Sequence, residues 1–291
     1  MGRRVLCALG LLVATAGAVS AWQWPVRVVD IQRTFGQEVD GYLNRGIEFG
    51  GGAQPVFPVE EGVVVASRPE ASSVPSGLGT YVVVEHEQGF RSIYAHLEAA
   101  TIPPVGQAVG PDTQIGTVGE TGQVAGRALR LYIVDLQAGD YVNPMLLLPD
   151  LPDNARPTIG AVYAVGPSGR FDLREIRVLP PGSYEITAEV RDRLEAIGRQ
   201  PILGPYSIRM FVSGQEAFAV ELDRMRVGEL GMIIEPGGLE ADLLYAEAGL
   251  LRLGTVQVTS GQTELEIVSV DFRGNEASLR LNLSGSVNED L

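Results

Sequence analysis

The pattern of apolar and polar residues along the chain predicts short β-strands almost throughout. Between residues 40 and 148, apolar runs such as "GVVVAS", "TYVVVEH" and "LRLYIV" recur, and Gly, Pro and Asp separate them. No amphipathic helix of convincing length interrupts these runs. This pattern is typical of an all-β domain with many short strands and tight turns.

A second set of strand signals extends from residue 157 to residue 285. In "SYEITAEV", Tyr184, Ile186 and Ala188 alternate with polar or charged residues. Such alternation favours a half-buried strand in an antiparallel sandwich. Farther along, "GLEADLLYAEAGLL" breaks the alternation and predicts a short helix or a long loop.

The two sets are separated by the stretch "NPMLLLPDLPDNARPTIG", which is rich in proline. Proline cannot extend a strand ladder, and repeated proline stiffens a connector. We therefore predict a first β-domain at residues 40–148, a linker at 149–156 and a second β-domain at 157–285, with a short tail at 286–291.

The first 21 residues have the organisation of a secretory signal peptide. Arg3 and Arg4 precede an apolar run, and Val19-Ser20-Ala21 fits a small-residue cleavage site. The run is too short for a membrane span, although an uncleaved anchor remains the alternative. Cleavage would remove Cys7, the only cysteine, so the mature chain is expected to have no disulfide. We predict an exported protein of the cell envelope, periplasmic or extracellular, whose residues 22–39 form a leader segment.

The formal net charge of -14 argues against nucleic acid and against a negatively charged membrane as partners. Every basic residue is an arginine, and the mature region has no basic run. Neutralising phosphates requires clustered positive charge, which this composition does not provide.

The stretch "GRALRLYIVD" raises a chemical question. Strand alternation places Leu129, Leu131 and Ile133 on an apolar face. The opposite face then carries an alanine and an arginine side by side, Ala128 and Arg130, followed by Tyr132.

The order of motifs around this stretch resembles the LytM/lysostaphin-like zinc metallopeptidases, which cut peptidoglycan cross-bridges. The resemblance covers about residues 40–148 and rests on "NRGIEFG", "PVFPVEEGVVV", "YAHL", "VGQAVGPDTQIGTVGETG" and "VNP", in that order. It implies an antiparallel β-sheet domain of the duplicated hybrid motif fold. The second domain weakly resembles the immunoglobulin-like β-sandwiches that are fused to such domains in bacterial envelope proteins.

The resemblance places the family's zinc ligands at Asn44, Glu48 and Arg130 of this chain. In the family these ligands are a His and an Asp of a His-x-Gly-x-Asp motif and the second His of a His-x-His strand. The two histidines that assist the catalytic water fall on His96 and Ala128. "ALRL" therefore stands where the family has His-Leu-His, and Tyr132, which takes the place of a frequent acidic residue, is expected to line the groove.

This set of residues predicts that zinc binding is lost and that no other cofactor replaces it. A guanidinium group has no free lone pair and stays protonated, so Arg130 cannot bind a metal. The chain has two histidines, which leaves no further imidazole to compensate. We predict that Arg130 instead forms an ion pair with Glu48; separate solvation of the two groups is the alternative.

Two further acidic sites have structural interpretations. The pair Glu60-Glu61 is predicted to lie in a solvated turn and not to act as an acid/base pair. Asp271, in "VDFRGNEAS", is predicted to form an Asx turn, with a calcium site as the alternative.

The expected function is that of an exported protein whose LytM-type domain is catalytically degenerate and is not expected to be an enzyme. By resemblance, it would bind peptidoglycan or regulate a peptidoglycan amidase during cell-wall remodelling. One alternative is an active peptidoglycan metalloendopeptidase with an atypical metal site built from Glu48, Asn44 and His96. Another is a purely structural component of the envelope.

Overall fold

The computed structural model describes residues 22–39, 41–69, 76–98, 102–194, 201–247 and 249–286. The predicted signal peptide lies outside these residues. Within them, no helix is long and apolar enough to cross a membrane. The described chain consists of β-strands, loops and two single 3₁₀ turns, which confirms the all-β prediction.

The first part of the described chain forms twelve strands, several of only two residues, and one 3₁₀ turn. They are β1 (Ile31–Arg33), β2 (Glu38–Val39), β3 (Tyr42–Leu43), β4 (Ile47–Phe49), β5 (Pro55–Val56), β6 (Gly62–Arg68), β7 (Thr80–Glu85), β8 (Phe90–Leu97), β9 (Ala108–Val109), β10 (Gly116–Thr117), β11 (Leu129–Asp135), β12 (Asp140–Val142) and the turn η1 (Pro144–Leu146).

Most of these strands join one antiparallel sheet with β11 near its middle. The order across the sheet is β9-β6-β7-β8-β11-β12, and β4 pairs with the first half of β11 and with β1. Leu129, Leu131 and Ile133 of β11 are completely buried in the core beneath the sheet, as their alternation predicts. Burial of each such side chain stabilises the fold by about 1.5–3 kcal/mol. The opposite face of β11 therefore points away from the core and toward a groove.

The predicted leader segment is an integral part of the sheet. Its strand β1 pairs with β4, with Ile31 opposite Phe49 and Arg33 opposite Glu48. Trp22 and Trp24 pack against the core of the first domain. The segment is therefore built into the sheet and the core, and its residue Arg33 lines the groove.

The second part of the described chain forms thirteen strands and a second 3₁₀ turn. They are β13 (Thr158–Gly166), β14 (Gly169–Asp172), β15 (Val178–Leu179), β16 (Gly182–Arg191), β17 (Ser207–Val212), β18 (Gln215–Glu221), β19 (Arg224–Val227), β20 (Met232–Glu235), β21 (Leu239–Glu240), the turn η2 (Ala241–Leu243), β22 (Tyr245–Glu247), β23 (Leu250–Val258), β24 (Gln262–Val270) and β25 (Glu276–Gly285).

Ten of these strands form two five-stranded sheets that enclose a second core. Their orders are β14-β13-β16-β23-β22 and β15-β25-β24-β17-β18. Tyr184, Ile186 and Ala188 of β16 are buried in this core, as the alternation in "SYEITAEV" predicts. The stretch "GLEADLLYAEAGLL" provides β21, the single turn η2 and β22.

The remaining three strands, β19, β20 and β21, leave the sandwich and extend the sheet of the first domain. β19 pairs with β12, with Met225 opposite Tyr141, so that the sheet continues as β12-β19-β20-β21. An ion pair of 2.8 Å between Arg224 and Asp135 reinforces this junction. The two domains therefore share one sheet. The strands β19, β20 and β21, which extend it, lie beside the groove.

The prediction of a solvated turn at Glu60-Glu61 is wrong for Glu60. This side chain is 1% exposed, and its Oε1 accepts a hydrogen bond of 2.6 Å from Gln88. His86 lies nearby and is also buried; its ring contacts the carbonyl oxygen of Glu61 and the hydroxyl of Ser92. These contacts make His86 a structural residue away from the groove.

Candidate functional site

The strands β4 and β11 bring Glu48 and Arg130 together at the floor of a groove. In their antiparallel register, Arg130 lies opposite Glu48 on one side and opposite Ala95 of β8 on the other. Close approach of the two strands requires a glycine just before β4. A Cβ atom on Gly46 would lie 2.1 Å from the carbonyl oxygen of Leu131.

The predicted ion pair between Arg130 and Glu48 is present. The distance between Arg130 Nη2 and Glu48 Oε2 is 2.6 Å, and the carboxylate is largely buried. A second arginine, Arg33, lies 3.2 Å from Glu48 Oε1. The separate-solvation alternative is thus excluded, and both oxygens of Glu48 face a guanidinium group.

The charge on Arg130 is permanent in this environment. Burial lowers the pKa of Arg130, but the hydrogen bond to Glu48 and the interaction with Tyr132 outweigh burial, so the pKa is raised above its usual value. A fixed positive charge consequently occupies a position that the sequence resemblance assigns to a metal ligand.

The side chain of Asn44 is used to hold the backbone. Its Nδ2 donates hydrogen bonds to the carbonyl oxygens of Thr34, at 3.0 Å, and Gly46, at 2.9 Å. Asn44 therefore fixes the turn that leads into β4. Its amide oxygen is a weak ligand for zinc, which prefers thiolate, imidazole and carboxylate donors.

His96 is a buried, neutral imidazole beside the ion pair. Its Nδ1 lies 2.9 Å from the carbonyl oxygen of Thr121, which can only accept, so Nδ1 carries the proton. Its Nε2 is buried and has no hydrogen-bond partner in the described part of the chain. Burial lowers the pKa of His96, and the charge of Arg130 lowers it further, against the opposing effect of Glu48.

The backbone of His96 has a φ of 65°, in the left-handed region that a bulky side chain rarely adopts. Such a conformation costs on the order of 1–3 kcal/mol and persists where the surrounding structure enforces it. Here the position of the ring is fixed by its hydrogen bond to Thr121 and by the strand pairing of β8.

The other two positions taken from the resemblance also lie at this site. Ala128 is 4% exposed, and its methyl group offers no donor or acceptor. Tyr132 is 7% exposed, and its ring packs edge-on against Tyr141 at 6.1 Å. The positions of both residues follow from strand alternation, which places residues 128, 130 and 132 on one face.

These side chains do not fit a catalytic zinc ion. A catalytic site provides three ligands and one open position for water. Here the amide of Asn44 is committed to the backbone, Glu48 is held by two arginines and Arg130 has no lone pair. His96 alone offers a neutral nitrogen, and a single imidazole does not make a zinc site.

The two histidines permit a direct test of this electrostatic environment. Burial lowers the pKa of His86 as it does that of His96, so we expect both imidazoles to titrate below pH 6.5. Because the unfolded chain binds these protons near pH 6.5, stability is lost as the pH falls below that value. Two-dimensional NMR of the imidazole resonances, assigned with His86→Gln and His96→Gln, measures both values. A pKa of His96 above 6.5 would contradict its burial beside the positive charge of Arg130.

The groove above the ion pair is a cavity of about 560 Å³. The charged residues among its described lining are three arginines, Arg33, Arg45 and Arg130. Arg45 stacks over the ring of Tyr141 at 5.0 Å and has no carboxylate partner among the described residues. The groove is therefore positively charged on a protein whose net charge is strongly negative.

A second cavity of about 530 Å³ adjoins the groove through Tyr42, Leu43 and Arg45. Its other wall comes from the segment 224–247, where Leu230 and Met232 face it. Tyr42 is 80% exposed and Leu230 93% exposed. The sequence did not predict this wall, because it depends on the pairing of β19 with β12.

Comparison with known protein families identifies the first domain. Residues 42–144 match the model of peptidase family M23, and a second family model matches residues 156–284. The M23 match confirms the resemblance to LytM-type domains that the sequence motifs indicate. The M23 match covers about a third of the chain and so describes this domain alone.

Several solved structures are similar to part of the chain. A SpoIIQ–SpoIIIAH pore-forming complex gives 22% identity over 44% of this chain and 91% of that chain, with a TM-score of 0.37. The lysostaphin catalytic domain from Staphylococcus simulans gives 21% identity over 40% and 90%, with a TM-score of 0.36. A zinc-containing peptidase from Vibrio cholerae gives 23% over 45% and 41%, with a TM-score of 0.37. No curated protein matches the chain.

Proposed function

We propose that this protein uses an M23-type domain to bind peptide and not to hydrolyse it. In this proposal the chain is exported, belongs to the cell envelope and has no zinc. The observation that supports this proposal is the ion pair between Glu48 and Arg130, two positions that the sequence resemblance assigns to zinc ligands. A groove does not need a metal in order to exist, so a binding surface remains after the catalytic ligands are lost.

The positive charge of the groove favours ligands that are peptides with free carboxylates. Arg45 is the arginine best suited to bind them, because Arg33 and Arg130 already contact Glu48. Tyr42 and Tyr132 line the same cavity and offer apolar surface beside the charge. Stem peptides of peptidoglycan, which have free carboxylates, fit this combination, and we propose them as the ligand.

Regulation of a peptidoglycan amidase is the second candidate. It is favoured by the adjoining surface, where the exposed Tyr42 and Leu230 and the partly buried Met232 lie together. Exposed apolar side chains that cluster beside a groove are typical of sites for protein partners.

The test is binding of a synthetic stem peptide, measured by calorimetry against the same peptide with its carboxylates amidated. We expect the free-acid peptide to bind and Arg45→Ala to weaken binding about tenfold, the usual effect of removing an interfacial charge contact. Arg27→Ala is the matched control, because Arg27 also stacks on an aromatic ring, at 4.9 Å from Phe57, but outside the groove. Equal binding of both peptides, or equal effects of both substitutions, would contradict the proposal. Stimulation of an amidase without peptide binding would favour the second candidate.

A further inference from the structure

We infer that Asp153, Asp192 and Asp271 form a binding site for a calcium ion between the linker and the second domain. Ligand oxygens of the three carboxylates lie within 4.8 Å of one another, and all three residues are buried. Asp153 lies in the linker, Asp192 directly follows β16 and Asp271 directly follows β24. The site lies outside the M23-type domain.

The side chain of Asp192 provides the second, independent observation. This residue is 5% exposed, and its Oδ1 is buried without a hydrogen-bond partner in the described part of the chain. No arginine among the described residues pairs with Asp192 or Asp271. The nearby Arg273 pairs with Asp150 instead. Burying a carboxylate oxygen without a partner is costly, and a cation coordinated there removes that cost.

The electrostatics of the cluster agree with this geometry. The pKa of Asp192 is raised to about 7, mainly by burial and also by the neighbouring charges of Asp271 and Asp153, against a backbone hydrogen bond from Arg193. Carboxylates held together in this way repel one another when all are ionised. A bound divalent cation would allow all three to remain ionised at neutral pH.

The chemistry of the ligands favours calcium over other divalent ions. All three side chains offer oxygen, and calcium coordinates carboxylates and carbonyls at about 2.3–2.6 Å in flexible geometry. Oxygens on opposite sides of such an ion lie about 5 Å apart, and the oxygens of this cluster all lie within that distance of one another. Magnesium keeps several waters and demands an octahedral arrangement, for which a fully buried cluster is less suitable.

Backbone contacts already orient the ligands. Oδ1 of Asp271 accepts hydrogen bonds from the amides of Arg273, at 2.7 Å, and Asn275, at 2.8 Å, which confirms the predicted Asx turn. The side chain of Asn275 also donates to the carbonyl oxygen of Asp153 at 3.3 Å. The linker and the turn are therefore held together around the cluster before any ion binds.

The position of the site implies a role in fixing the two domains. The backbone of Asp192 exchanges hydrogen bonds of 2.9 Å and 3.0 Å with Leu203, which packs in the core of the first domain. An ion bound to Asp153, Asp192 and Asp271 would connect the linker, the sandwich and a residue pair anchored in the first domain.

The test is calorimetric titration of the full mature chain with CaCl₂, together with thermal unfolding in calcium or in EDTA. We expect one ion per chain and a rise in Tm of about 5 °C when calcium exceeds its Kd by 100-fold. Asp192→Asn should weaken binding at least tenfold. Asp150→Asn, which makes the same charge change at an exposed linker residue, should leave binding unchanged.

Several outcomes would overturn the inference. The wild type could show neither binding heat nor a shift in Tm, or Asp192→Asn could retain the full shift. An equal rise in Tm with MgCl₂ would overturn the assignment to calcium. If Asp192→Asn does not fold, Asp153→Asn takes its place, and the titration of the wild type decides independently of either variant.

Discussion

Replacement of Glu48 by alanine is expected to destabilise the protein by about 3 kcal/mol, because it leaves the partly buried guanidinium group of Arg130 without its partner. Glu48 contacts both Arg130 and Arg33, and its side chain is 7% exposed. Removing one member of a buried pair costs more than the pair contributes, since the remaining charge stays desolvated. Calorimetric unfolding at pH 7 measures the effect, and we expect Tm to fall by about 6 °C.

Glu85→Ala is the matched control for this substitution. Glu85 forms an ion pair of 2.6 Å with Arg91, but both side chains are about 40% exposed. An exposed pair contributes about 0–1 kcal/mol. A double-mutant cycle with Arg130→Met then isolates the coupling between Glu48 and Arg130. If Glu48→Ala and Glu85→Ala reduce Tm equally, the ion pair in the groove does not have the structural role assigned to it.

A zinc site is expected to form when the family's three zinc ligands and the helper histidine at position 128 are introduced together. The variant combines Asn44→His, Glu48→Asp, Ala128→His and Arg130→His. Positions 128 and 130 share a face of β11, and position 130 lies opposite position 48, so the new side chains converge. We expect one zinc per chain with a Kd of about 1 μM or lower, against no measurable binding by the wild type.

The control for this variant keeps Arg130 and makes the other three substitutions. The retained guanidinium repels the cation and occupies a ligand position, so we expect no zinc at stoichiometric concentration. Competition with a chromogenic chelator measures both variants, and circular dichroism verifies that they fold. Failure of the folded fourfold variant to bind zinc would mean that the groove lacks the geometry that the resemblance implies.

Much of the site follows from local pattern. The alternation of "LRLYIV" correctly predicts which side chains of β11 are buried in the core. The chemistry of Arg130 and Glu48 predicts their pairing, because a partly buried guanidinium requires a carboxylate. Both inferences use residues whose positions in the sheet are fixed by the motif order of the first domain.

Other features depend on contacts between distant parts of the chain and could not be predicted. Arg33 reaches Glu48 because β1 pairs with β4, and no residue type in the leader signals that register. The pairing of β19 with β12 gives the cavity that adjoins the groove its other wall. The buried cluster combines Asp153, Asp192 and Asp271, which are separated by 39 and 79 positions in the sequence.

The most direct test of the central claim is the zinc content of the purified mature protein after growth in excess zinc. Elemental analysis should find far less than one zinc per chain, since Asn44, Glu48 and Arg130 do not form a ligand set. One zinc per chain, lost in Glu48→Ala but retained in the control Glu85→Ala, would contradict this account. It would instead identify the groove as an atypical metal centre and the domain as a candidate peptidase.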